Sequence, residues 1–163
     1  MECAGPAAAW AESTGFGAAS GQQPHAAFHT DGGPWRAVFA EQYFQYPGFT
    51  FEGQSPGSSP GPFSAIGPET AFFLDTCSAC GAGTVPAAVV TGTQQRDTIT
   101  KRPDLGLLTS LDGLSFSDSQ HGWATGQLVV PGTRAGGTSR NTWRIVATSD
   151  GGRTWRVQLD GRH

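Results

Sequence analysis

The chain has little charge to spend on a polyanion. Only 14% of its residues are charged, and 10 Lys and Arg face 13 Asp and Glu, for a net charge of −3. Nucleic-acid binding needs a basic face that tracks phosphates, so that class of partner is excluded. Long apolar runs are also missing. None approaches the roughly 18 residues that a spanning helix requires, so no membrane span is expected. Met1-Glu2-Cys3-Ala4-Gly5-Pro6 has neither a basic region nor a long apolar stretch, so it does not read as a signal peptide. Breaker-free helical windows are absent as well, because Gly (24) and Pro (11) interrupt nearly every one. Large aliphatic residues are sparse, which taken alone hints at disorder. Five Trp and ten Phe with a low net charge point the other way, to a packed β core.

What is present is a series of short apolar runs bounded by turn residues. Ala37-Val38-Phe39, Ala71-Phe72-Phe73-Leu74, Ala87-Ala88-Val89-Val90, Leu128-Val129-Val130 and Arg144-Ile145-Val146-Ala147 each have the length and composition of a strand. The fold class is therefore all-β. An internal repeat narrows the architecture. Aligning Thr14, Thr70 and His121 puts an aromatic two positions later each time, at Phe16, Phe72 and Trp123. A second element repeats around Asp31-Gly32-Gly33-Pro34-Trp35-Arg36 and Asp150-Gly151-Gly152-Arg153-Thr154-Trp155-Arg156. Each reads as strand, Asp-Gly-Gly turn and strand. In such a turn Asp accepts backbone N–H groups one and two residues on, glycine permits positive φ, and the Trp ring buries against the neighbouring unit. The unit is about 50 residues long, the scale of a four-stranded propeller blade. Blades are expected at 7–56, 63–107 and 114–160, with 54–62 as a connector. The alternative is a β-sandwich, since the middle unit is degenerate.

Thr148-Ser149-Asp150-Gly151-Gly152-Arg153-Thr154-Trp155 resembles the Asp-box of BNR repeats in sialidase-like β-propellers. Phe116-Ser117-Asp118-Ser119-Gln120-His121-Gly122-Trp123-Ala124-Thr125-Gly126 is similar to a run in propellers related to photosystem II assembly and stability factors. The resemblance implies that Asp31, Gly33 and Trp35 in the first unit, and Thr148, Asp150, Gly152, Thr154 and Trp155 in the third, are structural turn residues. Blade one departs from the pattern, with His29 at the Ser/Thr place and Pro34 directly before Trp35. Blade two has lost the box, leaving Val90-Thr91-Gly92-Thr93-Gln94-Gln95.

Sialidases of this superfamily use an arginine triad and a Tyr–Glu nucleophile pair, and glycosidase chemistry needs two convergent carboxylates. Here Tyr43 and Tyr46 lie near Glu41 and Glu52 in an aromatic loop with Phe44, Phe49 and Phe51. A packing loop is the simpler reading, with a sugar or protein surface as the alternative. Cys77 and Cys80 form a C-x-x-C with three readings: a local disulfide, two free thiols, or half of a zinc site without matching Cys or His partners. Gly15-Phe16-Gly17-Ala18-Ala19-Ser20-Gly21 lacks the strand and helix that a dinucleotide loop needs. His121 reads as a tight-turn residue rather than a base. The segment 131–142 reads as a flexible hairpin tip, with a recognition loop as the alternative.

The expectation is a non-catalytic fragment of an Asp-box propeller that acts as a binding or assembly scaffold. It would have no catalytic residue, metal or cofactor, and no carboxylate with an unusual pKa. A closed ring needs at least about four blades, so three imply either further blades in a longer, extracytoplasmic parent or self-association. Protein and carbohydrate are the candidate ligands. The alternative is a piece of a sialidase-like glycoside hydrolase whose catalytic residues lie elsewhere.

Overall fold

A computed structural model describes residues 1–5, 7–14, 25–40, 56–57, 59–76, 85, 87–92, 97–103, 105–130 and 138–161. Among these residues every regular element is a strand. Strands β1 (Glu2–Cys3), β2 (Ala8–Thr14), β3 (His25–Asp31) and β4 (Arg36–Ala40) form the first sheet. Strands β5 (Phe63–Gly67), β6 (Thr70–Leu74), β7 (Ala87–Gly92) and β8 (Asp97–Arg102) form the second. The third contains β9 (Ser110–Phe116), β10 (Gly122–Val130), β11 (Arg140–Thr148) and β12 (Arg156–Gly161). Each sheet is an antiparallel meander, with neighbours in space also neighbours in sequence. The first sheet begins at Glu2 rather than 7, and the third at Ser110 rather than 114.

The three sheets pack face to face in chain order. Trp10, Ala27 and Phe39 of the first sheet meet Ala71, Phe73 and Val90 of the second. The opposite face of the second sheet sends Phe72 and Val89 against Phe116, Leu114 and Trp155 of the third. The middle sheet is thus covered on both faces, and a sandwich of two sheets does not describe the arrangement. Aromatic rings join the layers. Phe39 meets Phe73 edge-on at 5.0 Å, and Phe72 stacks on Phe116 at 3.6 Å and 5°. A polar tie supports the second contact, because the Phe116 amide donates to Ser64 Oγ at 3.0 Å.

Strand register corrects the repeat frame. Thr70 opens β6 and His121 immediately precedes β10, but Thr14 ends β2 rather than beginning it. The residue aligned with Thr70 and His121 is Ala8, and the aromatic two positions on is Trp10 rather than Phe16, which lies outside the described residues. Trp10 faces His29, Phe72 faces Val89 and Trp123 faces Ala147 on the third strand of each sheet. Ala8-Ala9-Trp10 and Thr14-Gly15-Phe16 both place an aromatic two residues after a small one, and only the pairing with β3 chooses between them.

Candidate functional site

The turn between β11 and β12 is organised by one carboxylate. Asp150 Oδ1 accepts the amides of Arg153 at 3.0 Å and Thr154 at 2.8 Å, and Thr154 Oγ1 donates to Oδ2 at 2.6 Å. These donors lie three and four residues on, not one and two as expected, because two glycines lengthen the turn. Gly151 and Gly152 have φ of 69° and 78°, a region that L side chains avoid. The Thr148 hydroxyl donates to Asp150 Oδ1 at 2.9 Å and accepts the Gly152 amide at 3.0 Å. Arg102 of the second sheet donates to the Gly151 carbonyl at 2.9 Å, so the turn also touches its neighbour. Trp155 meets Phe116 edge-on at 6.1 Å within the interface between second and third sheets.

The corresponding hairpin of the first sheet is built differently. The register break between Ala27 and Phe28 matches that between Ile145 and Val146, so His29, opposite Arg36, corresponds to Ala147, opposite Arg156. Thr30, rather than His29, then occupies the place of Thr148, and its hydroxyl accepts the Gly32 amide at 3.3 Å. Gly32 carries the positive φ, at 99°, and Gly33 does not. Asp31 pairs with Arg36 at 3.4 Å. Slight desolvation would raise its pKa, but the Arg36 hydrogen bond and charge, with amides of the turn, hold it below the ordinary value. Trp35 is 40% exposed instead of buried against a neighbour.

In the β9–β10 hairpin Asp118 Oδ1 accepts the amides of Gln120 at 2.7 Å and His121 at 2.8 Å, and the exposed His121 ring stands 3.0 Å from Oδ2. His121 therefore belongs to a tight turn. Cys77 and Cys80, the loop with Glu41, Tyr43, Tyr46 and Glu52, the 15–21 segment, and 131–137 of the 131–142 tip lie outside the described residues.

Two buried polar clusters between the first and second sheets carry no local sequence signature. His25, Ala27 and His29 share one face of β3, as do their partners Thr14, Glu12 and Trp10 on β2. In one cluster the His29 ring stacks on Trp10 at 3.9 Å, donates through Nε2 to the Pro68 carbonyl at 2.7 Å, and presents Nδ1 to Asp97 at 3.0 Å. Arg36 Nε reaches the same carboxylate at 3.4 Å. Gly92 makes room for it, since a Cβ there would meet the His29 ring at 2.8 Å and Asp97 closer still.

In the other cluster His25 Nε2 stands 3.2 Å from Asp75 Oδ2 and 3.8 Å from Glu12 Oε1. The Gly57 amide donates to Asp75 Oδ2 at 3.0 Å. Burial pushes the Glu12 carboxyl up to about 8, helped by the Asp75 charge and opposed by His25 and the amino terminus. Asp150 is held at about 2 by the Thr154 hydroxyl and amide, and Asp118 at about 2 by the amides of Gln120 and His121. Three carboxyls therefore sit far from their ordinary values, contrary to the sequence-based expectation.

These shifts set opposite limits on stability. The folded pKa values of Asp150 and Asp118 lie below the ordinary 3.8, so their contribution is present above that pH and lost towards about 2. Glu12 is raised from 4.5, so the fold loses stability as pH climbs from there to about 8. An Asp150→Ala variant is expected to lower Tm near neutral pH by about 2–6 °C. Its acid-side slope between pH 3.8 and about 2 should also be shallower. Calorimetry across pH checks both, and an unchanged acid limb would remove Asp150 from this role.

Among the described residues no helix is long and apolar enough to cross a membrane. No family model, curated protein or solved structure matches the chain.

Proposed function

We propose that the three sheets are consecutive blades of an Asp-box-type β-propeller and that the chain serves as a non-catalytic binding or assembly scaffold. One observation carries this reading. Equivalent aromatics turn the same way along the chain: Trp10 towards the second sheet and Phe72 towards the third. Trp123 lies on the face away from Ala124, which packs in the core against Leu74, and is 39% exposed. Trp143 and Leu159 on that same outer face are 43% and 52% exposed. An apolar face of this kind marks an interaction surface. Its natural occupant is another sheet of the same design, from further blades of a longer protein or from a second copy. Trp35, at the other end of the stack, corresponds to Trp155 and has no preceding sheet among the described residues to cover it.

Sedimentation velocity over a concentration series tests the reading. The chain should self-associate, and Trp123→Ser with Leu159→Ser should shift it towards monomer while leaving the circular dichroism unchanged. A folded chain that stays monomeric at every concentration would overturn the proposal.

A further inference from the structure

The cluster of Glu12, His25 and Asp75 has the chemistry of a metal site. One ligand atom from each residue can be chosen so that all three lie within 4.8 Å of one another. Ligands bound to zinc at about 2.0–2.2 Å lie about 3.2–3.6 Å apart along a tetrahedral edge. The observed 3.2 Å from His25 Nε2 to Asp75 Oδ2 and 3.8 Å to Glu12 Oε1 fit that spacing with small side-chain movement. The three residues come from β2, β3 and the position just after β6, so they span two sheets.

A second observation points to a ligand. The Glu12 side chain is 8% exposed, and its Oε1 is buried without a hydrogen-bond partner among the described residues. That oxygen faces the imidazole nitrogen at a distance too long for a good hydrogen bond. Burying a carboxyl with one oxygen unsatisfied is costly, and its retention calls for a partner that the side chains do not supply.

We propose that Glu12, His25 and Asp75 bind one divalent transition cation of the zinc type, which pins the first sheet to the second. The donor set is one imidazole and two carboxylates. It suits zinc or cobalt better than calcium, which takes six to eight oxygens. The proposal is independent of the scaffold reading, because a cation here would stabilise any fold that brings these strands together.

Binding requires the deprotonated ligands. The groups facing Glu12 are His25 on β3, Asp75 after β6 and the charge of the amino terminus, and the first and last favour its ionised form. Protonation of these side chains should therefore compete with the cation, and uptake should weaken on acidification.

The full chain, stripped with a chelator and dialysed, is titrated with Zn²⁺ by calorimetry. One equivalent is expected to bind. At a hundredfold excess over Kd, Tm should rise by roughly 5–10 °C. Glu12→Gln keeps the shape of the protonated side chain, so the metal-free variant should fold. Loss of the ligand should weaken Zn²⁺ by at least the roughly 10–100-fold typical of an outer-shell partner. Co²⁺ should give d–d bands without a thiolate charge-transfer band, and Cys77→Ser with Cys80→Ser should leave the stoichiometry unchanged. Failure of the folded chain to take up Zn²⁺, wild-type affinity in folded Glu12→Gln, or a thiolate band with loss of binding in the Cys variant would each overturn the proposal.

Discussion

Replacing Asp97 by Ala is expected to destabilise the fold by about 3–5 kcal/mol, the usual cost of removing one partner from a buried ion pair. That is a large share of the roughly 5–15 kcal/mol that holds a domain together. Asp97 is 4% exposed and is the carboxylate shared by His29 and Arg36. Without it, Arg36 keeps its 3.1 Å hydrogen bond to His29 Nδ1 but loses the buried carboxylate that its Nε reaches. His29 has no easy escape, because it is clamped between Trp10 and the Pro68 carbonyl. Asp97→Asn retains the shape and an acceptor, so it should recover part of the loss. Urea unfolding measures both variants. A cost below about 1 kcal/mol for Asp97→Ala would show that the cluster adds nothing beyond an ordinary hydrogen bond.

The second large effect concerns the other interface. Phe116→Ala removes the ring that stacks on Phe72 and abuts Trp155, and core Phe truncations cost about 3–5 kcal/mol. The surrounding groups cannot collapse into the gap easily, since Phe72 and Trp155 are held on separate sheets. Gly122 lies so close that a Cβ would sit 2.6 Å from the Phe116 ring, which shows how completely the site is filled. Lys101→Ala, at an exposed position of β8, is the control and should stay within about 0.5 kcal/mol. If Phe116→Ala behaves like that control, the second and third sheets are not coupled through this stack.

Much of the backbone plan was legible because strands and turns are local. Short runs such as Ala71-Phe72-Phe73-Leu74 and Arg144-Ile145-Val146-Ala147 carry β composition, and the glycines after Asp150 mark a turn without reference to anything distant. The frame of the first unit was not legible, because Phe16 and Trp10 both satisfy an alternating pattern until the pairing partner is known. The buried clusters were hidden for another reason. Asp97 and His29 are 68 positions apart, and Asp75 and His25 are 50 apart, so no window contains both members. A faint signal did exist. His25 and His29 stand four positions apart on β3, on one face with Ala27, with only Ala26, Ala27 and Phe28 between them, and a strand of that composition is buried. Two histidines there must each find a polar partner.

The middle sheet has apolar layers on both sides, whereas among the described residues the third is covered on one face only. Opening the third sheet breaks a single contact plane, but freeing the second breaks two. Cooperative loss of structure therefore runs inward from the stack's edge, and amides of β6 and β7 are released last.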